Sequence, residues 1–150
     1  MPKISRTASA LISQILCILA FAVLTVLAVL LPALLKTMMQ IFGKPDYLYI
    51  PTLIIAYISA VPAFAADAAL FLLLRCVKLG QVFTSRSVAL IRLISWLCFI
   101  EAVIFFSLGF YYIIGFIAAF VFVFMGLIVR VVKNVIEEAV YIKEENDYTI

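Results

Sequence analysis

The chain has 150 residues, of which 68% are hydrophobic and only 13% are charged, and its formal net charge is +3. Soluble domains are about half apolar and about a quarter charged, and a soluble fold of this size has too little interior to bury so much apolar surface. The composition therefore excludes an ordinary soluble domain. It predicts one integral membrane domain over residues 1–150, with the lipid bilayer as its solvent.

The first half of the chain contains two predicted membrane spans. About 20 apolar residues cross the hydrocarbon core of a bilayer as a helix. The first predicted span covers about residues 11–34, and Pro32 lies near its end, where a break in the helix is tolerable. Its uncharged run is longer than the roughly 7–15-residue core of a signal peptide, so we expect a retained helix. A polar connection containing Gly43 and Pro45 leads to the second predicted span, at about residues 48–74.

The second half contains two more predicted spans. A polar loop, "RCVKLGQVFTSRS", has Gly80 as its predicted break and Ser87 as a candidate cap for the next helix. A single helix over the apolar stretch that follows would be about 60 Å long, twice the hydrocarbon thickness. The glycines and tyrosines of "GFYYIIG", residues 109–115, predict a tight turn at the membrane surface. The third and fourth spans are therefore predicted at about residues 87–108 and 112–132.

The positions of lysine and arginine predict the orientation in the membrane. With four spans, both chain ends lie on one side, and that side carries nine of the 11 basic residues. The other side carries only Lys36 and Lys44. Because cytoplasmic loops are enriched in lysine and arginine, we predict a multi-pass membrane protein with both termini in the cytoplasm. The fold class is thus an all-α, four-helix transmembrane bundle.

The sequence after the fourth span predicts a helix that continues beyond the membrane, in a cytoplasmic tail of residues 133–150. Apolar residues recur at helical spacing, and Lys133 and Glu137 form an i,i+4 pair. We expect this helix to end near Glu145, with Asn146 as a left-handed cap and "DYTI" extended. A partly apolar helix in water needs a surface to pack on. That surface is either the protein's own inner loop or a partner.

Two carboxylates, Asp67 and Glu101, fall within predicted spans, about 12–14 Å from the inner boundary. An acidic residue at the centre of a span costs roughly 2.5–3.5 kcal/mol on insertion scales and commonly marks a pathway, a proton site or a buried polar contact. If the two face each other, they form a site for a cation or a shared proton. Alternatively, each is protonated and hydrogen-bonded within the bundle. The candidate hydrogen-bond partners in that case are Ser13, Gln14, Tyr57, Ser59 and Ser95.

The sequence contains no pattern typical of catalysis or of a metal or cofactor site. It has no histidine, its three cysteines are far apart, and it has no glycine-rich phosphate loop. We therefore predict a protein that is not an enzyme, with no catalytic residue, metal or cofactor. The basic residues lie at membrane boundaries, where anionic lipids satisfy them, so direct binding of nucleic acid is not expected.

Three stretches of the sequence resemble a family of bacterial membrane proteins. "KNVIEEAVYIKEENDYTI" resembles the C-terminal signature of that family, and "GQVFTSRSVALIRLISW" resembles its inner loop and the start of its third helix. "YLYIPTLIIAYISAVP" is a looser match to its second helix. The family is catalogued as domain of unknown function 2975, and the resemblance covers nearly the whole chain. It implies four spans with cytoplasmic ends, and Asp67 and Glu101 are not part of its pattern.

The resemblance also implies a regulatory role, because members of the family are often encoded beside a small helix-turn-helix regulator and have no established enzyme activity. We predict that the inner loop and the tail dock a partner, such as a small helix-turn-helix transcription factor. One alternative is a small ion- or proton-coupled transporter, or a transporter subunit, that uses Asp67 and Glu101 and works as a homo-oligomer. Another is an immunity protein against a membrane-active peptide. The docking positions that match the family are Gly80, Phe83, Ser85, Ser87, Glu145, Asn146, Asp147 and Thr149.

Overall fold

Four long helices make up the computed structural model, which describes the backbone of residues 6–148 and the side chains of residues 11–146. No strand occurs within residues 6–148, and the predicted all-α fold with four long helices is confirmed. In chain order the elements are α1 at Arg6–Ile41, a short 3-10 helix at Asp46–Leu48, α2 at Tyr49–Lys78, α3 at Ser85–Gly109 and α4 at Ile114–Tyr148.

Each of the four helices contains a segment long and apolar enough to cross a membrane. Each segment is longer than the roughly 20 predominantly apolar residues with which a helix crosses a bilayer. These segments are Leu11–Ile41, Asp46–Lys78, Ser85–Gly109 and Ile114–Asn146.

The first helix does not break near Pro32, and α1 continues to Ile41. A proline inside a helix removes the N–H that would bond the carbonyl four residues earlier, here the carbonyl of Ala28. In this fold the hydroxyl of Tyr57, on α2, donates to the Ala28 carbonyl oxygen at 3.3 Å. The carbonyl that Pro32 leaves without a donor is thus satisfied by the neighbouring helix, and the helix tolerates the proline.

The second connection begins as predicted, with a glycine that ends α2. Gly80 has a φ of +72°, in the left-handed region that favours glycine. Its N–H donates to the carbonyl of Val77, and the N–H of Gln81 donates to the carbonyl of Cys76 at 2.9 Å. These two bonds are those of a Schellman motif, which closes the end of a helix.

The cap of α3 is Thr84, and the prediction that Ser87 caps this helix was wrong. Thr84 has the extended backbone that a capping residue requires, and its hydroxyl oxygen accepts from the N–H of Ser87 at 3.4 Å. The helix consequently begins at Ser85, two residues earlier than predicted. Ser87 is fully buried, and its hydroxyl donates to the carbonyl of Gln81 at 2.8 Å.

The predicted turn between the third and fourth helices is confirmed, with α3 ending at Gly109 and α4 beginning at Ile114. A Cβ atom placed at Gly115 would lie 2.5 Å from the backbone nitrogen of Gly109, so the two helices meet backbone to backbone there. Small residues permit such close approach of helices in membranes. The two glycines are therefore what allows so short a turn.

The fourth helix continues to Tyr148, beyond its predicted end near Glu145. Asn146 is therefore inside the helix and does not cap it, and the "DY" of "DYTI" is helical rather than extended. No glycine or proline follows Glu145, and asparagine and aspartate cost only about 0.7 kcal/mol relative to alanine in a helix. Nothing in the local sequence is strong enough to end the helix at the predicted position.

The four helices form an open antiparallel row. Among the described residues, extensive contacts join only helices that follow each other in the chain, α1 with α2, α2 with α3 and α3 with α4. Helices α1 and α4 are therefore the two edges. The helix axes run between two opposite ends of the structure. One of them contains the first residues of α1 and the last residues of α4, and we call it the terminal end. At the opposite end the two connections meet, since the ammonium group of Lys44 donates to the carbonyl of Tyr111 at 3.0 Å.

Candidate functional site

A groove lies at the terminal end, between the beginning of α3 and the last part of α4. Its volume is about 380 Å³, and we call it the terminal groove. Val88 and Val140 are buried between the two helices and form its apolar floor. The remaining lining residues are polar or small and lie higher on the two walls. They are Ser85, Ala89 and Arg92 on α3, and Glu137, Tyr141 and Glu144 on α4.

Ionic contacts join the two walls of the groove. The guanidinium of Arg92 donates to the carboxylate of Glu137 at 2.8 Å, across the two helices. The ammonium group of Lys133 contacts the second oxygen of the same carboxylate, which confirms the predicted i,i+4 pair. Glu137 thus has two cationic neighbours, whereas Glu144 makes no ion pair among the described residues. The free carboxylate on the rim is therefore that of Glu144.

A cation–π contact also joins α3 and α4 near the groove. The guanidinium of Arg130 lies over the ring of Trp96, 5.1 Å from its centre. Such a cation–π contact is worth about 0.5–1 kcal/mol at an exposed site. With the ion pair of Arg92 and Glu137, it fixes the relative position of the two helices beneath the groove.

The predicted docking residues of the inner loop have different surroundings. Ser85 lines the terminal groove, and the ring of Phe83 is exposed beside it in sequence. Gly80 is exposed, and space around it is open. Ser87 is fully buried and bonds the backbone of the loop, so it shapes the loop from inside and presents no surface.

The predicted docking residues of the tail follow the groove along α4. Glu145 and Asn146 are exposed directly after Glu144, and each interacts with other residues of the chain. Asp147 belongs to the same helix, but its side chain lies outside the described part of the chain, as does Thr149 entirely. The structure therefore brings Ser85 together with the tail helix, at the wall formed by Tyr141 and Glu144.

Sequence reasoning missed most of the groove, including Arg92 and Tyr141. The signal was present as two matching helical patterns. Ser85, Ala89 and Arg92 recur at i, i+4 and i+7, and so do Glu137, Tyr141 and Glu144. Residues with these spacings share one face of a helix. Opposite charges on the two faces, from Arg92 and Glu137, would have indicated that the faces meet.

Glu101 is buried in the interface of α2 and α3, with only 4% of its surface exposed. The hydroxyl of Ser59 donates to its carboxylate at 2.9 Å, so one of the predicted hydrogen-bond partners is found. Ser95, another candidate, instead donates to the carbonyl of Gly126 at 3.0 Å. Glu101 thus has the surroundings of a polar contact between packed helices.

Asp67 lies elsewhere, on the side of α2 that faces α1. It lines a cavity of about 390 Å³ whose other walls include Cys17 and Phe21. Asp67 follows Ser59, the partner of Glu101, by about 12 Å along the helix axis. A shared proton or cation site requires carboxylates within about 4–6 Å. The structure therefore does not bring Asp67 and Glu101 together in one such site.

Four helices that are long and apolar enough to cross a membrane indicate an all-helical, multi-pass membrane protein. The chain belongs to the family described as "Protein of unknown function (DUF2975)", whose sequence model matches residues 33–150. The match includes the whole terminal groove. It begins near the end of α1, so it covers less of the chain than the resemblance predicted. No curated protein and no solved structure matches this chain.

Proposed function

We propose that this protein is a non-enzymatic regulator or adaptor of the bacterial cytoplasmic membrane that docks a partner protein in the terminal groove. The observation that supports this proposal is the groove itself. It combines an apolar floor of Val88 and Val140 with a polar and charged rim. Protein-binding sites commonly have such an apolar centre and polar edge.

The proposal places the terminal end in the cytoplasm. Within residues 6–148, eight of the ten lysine and arginine residues lie toward this end, and cytoplasmic segments are enriched in these residues. Helix α4 has 35 residues and is therefore about 52 Å long, compared with a hydrocarbon thickness of about 30 Å. Its last part, with the groove, would extend beyond the membrane and be accessible to a soluble partner.

The carboxylate of Glu144 is the part of the rim that can pair with a basic side chain of a partner. Arg92 and Lys133 bring two positive charges to the single negative charge of Glu137, so these three groups and Glu144 together carry no net charge. DNA-binding domains present clustered lysine and arginine. A small helix-turn-helix transcription factor, the partner that the family resemblance implies, would pair a lysine or arginine side chain with Glu144 and would be held away from DNA while bound.

A signal in the membrane would act by shifting α3 relative to α4. The two helices are joined by a turn of a few residues and line opposite walls of the groove. A change in their packing that favours one of two positions would therefore change the shape of the groove. Such a shift of a two-state equilibrium requires a ligand or signal that stabilises one position more than the other.

The transporter alternative has less support than the regulator. It depends on Asp67 and Glu101 acting together, and the two carboxyl groups have separate surroundings. The immunity alternative has no feature of the structure that favours it over the regulator.

Recovery of a partner from native membranes tests the proposal. We would compare the intact chain with a chain truncated after Ile136, which lacks the wall of the groove that α4 provides, both purified in mild detergent. We expect a DNA-binding protein with the intact chain and its loss with the truncated one. Identical eluates, or no DNA-binding protein in either, would contradict the proposed docking function.

A further inference from the structure

Asp67 is a polar group without a hydrogen bond or ion pair among the described residues. It lies on α2 beside a cavity of about 390 Å³ whose other lining is apolar apart from a thiol. Its carboxyl group is only partly buried by the chain. An acidic side chain in a membrane span is costly when it faces lipid, and such groups almost always face protein or a water-filled cavity.

Two other polar side chains along α2 and α3 differ from Asp67 in this respect. Glu101 bonds Ser59, and Tyr57 bonds the carbonyl of Ala28. Thr52 also has an unsatisfied oxygen, but it is fully enclosed by the chain and cannot meet another molecule. Asp67 is therefore a polar group in a span that lacks a partner and can be reached from outside.

The surface around Asp67 permits another helix to come close. Ala68 follows it and is exposed at the edge of the same cavity. Small residues at a membrane helix surface allow close approach, and polar groups hold the helices together where burial of apolar surface cannot. The cavity opens at the surface between α1 and α2, where Ala68 is exposed, so a second molecule can approach this face without displacing a helix of the first.

We propose that this face binds a second copy of the same chain, with Asp67 of one copy hydrogen-bonded to Asp67 of the other across a two-fold axis. A two-fold axis places identical residues opposite each other and, in a membrane, at the same depth. A protonated carboxyl group both donates and accepts a hydrogen bond, so it is complementary to itself. The predicted spans containing α1 and α2 offer no lysine or arginine at this depth that could pair with Asp67 instead.

The site at Asp67 is incomplete in one copy and is completed by the second. The inference is independent of the docking function, because Asp67 faces α1 whereas the terminal groove lies between α3 and α4. A dimer formed on this face would leave both terminal grooves open.

The first test measures the monomer–dimer equilibrium of the full chain in lipid nanodiscs or mild detergent by energy transfer between labelled copies. Asp67→Leu removes the hydrogen bond and a costly polar group, so it should fold while its dissociation constant rises about tenfold. Asp67→Asn keeps a side chain that donates and accepts, and it should remain dimeric. A monomeric wild-type chain, or an Asp67→Leu variant that dimerises as well as the wild type, would overturn the proposal.

The second test locates the interface by disulfide cross-linking in native membranes. The three native cysteines are first replaced by alanine. In that background, a cysteine introduced by Ala68→Cys should give a cross-linked dimer. The control is Val103→Cys, at an exposed position on α3 that lies away from the cavity, and it should give none. Cross-linking through Val103→Cys but not through Ala68→Cys would overturn the proposed interface even if the protein is a dimer.

Discussion

The guanidinium of Arg92 on α3 lies 2.8 Å from the carboxylate of Glu137 on α4, so an ion pair crosses the wall of the terminal groove. Both side chains are about half exposed, and exposed ion pairs are worth about 0.2–1 kcal/mol. The contribution of this pair to the overall free energy of unfolding is therefore small. Its effect is to hold the walls of the groove in register.

A double-mutant cycle measures that contribution. We expect Arg92→Ala and Glu137→Gln to show a coupling energy of about 0.2–1 kcal/mol, which falls at high salt because salt screens exposed charges. Unfolding in a denaturing detergent can be followed through Trp96, the single tryptophan. A cycle of Arg92→Ala with Glu138→Gln is the control and should show no coupling. A coupling that is unchanged in high salt would count against an exposed ion pair.

The contact between Ser59 and Glu101 should stabilise the packing of α2 on α3. Removing the hydroxyl with Ser59→Ala leaves a buried carboxyl group without its donor, and we expect a loss of about 1 kcal/mol in the free energy of unfolding. Ser107→Ala is the control, because Ser107 is exposed and bonds a carbonyl of its own helix. In a chain that already carries Glu101→Leu, Ser59→Ala should lower the free energy of unfolding by less than it does in the wild-type chain. Equal losses in the two chains would argue against the contact.

The hydroxyl of Tyr57 should matter because Pro32 leaves the carbonyl of Ala28 without a backbone donor. We expect Tyr57→Phe to lower the free energy of unfolding by about 0.6 kcal/mol, a typical value for a hydrogen bond between membrane helices. In a Pro32→Ala background the restored backbone N–H satisfies the same carbonyl, so Tyr57→Phe should lower the free energy of unfolding by less there. The same unfolding assay applies. An equal loss of free energy of unfolding with proline and with alanine at residue 32 would contradict the role of Tyr57 in the uninterrupted helix.

The turn between α3 and α4 should tolerate no side chain at Gly115. An added methyl group would lie 2.5 Å from the nitrogen and 2.8 Å from the Cα atom of Gly109, and backbone cannot move aside as a side chain can. We expect Gly115→Ala to destabilise the protein by about 1–3 kcal/mol. Gly126→Ala is the control, since its nearest neighbour is the ring of Phe99 at 3.1 Å, which can shift. Equal effects of the two changes would contradict the backbone contact.

The number and order of the helices were predictable from the sequence, whereas several helix ends were not. Hydropathy, Gly80 and the glycines at residues 109–115 determine where the helices are interrupted, and these are local signals. The continuation of α1 past Pro32 depends on Tyr57, which is distant in sequence. The start of α3 depended on a choice between two nearby hydroxyl residues, Thr84 and Ser87, that only the backbone conformation decides.

The candidate site was predictable in part. Residues of the tail and the inner loop were expected near each other, and Ser85 does lie in the groove with Glu144. The floor of the groove and its ion pair were missed because they depend on which faces of α3 and α4 meet. The surroundings of Asp67 and Glu101 were left open for the same reason. The two carboxylates were also expected at the same depth, whereas Asp67 lies about 12 Å along α2 from Ser59, the partner of Glu101.

Photocrosslinking from the groove tests the central claim most directly. A photoreactive amino acid is placed at Tyr141, and adducts formed in native membranes are identified by mass spectrometry. The account predicts an adduct with a DNA-binding protein that is lost when Glu144→Lys reverses the rim charge. The control Glu138→Lys makes the same charge change on the same helix outside the groove lining, and it should leave the adduct intact. No such adduct, or equal loss with both variants, would contradict docking in the terminal groove.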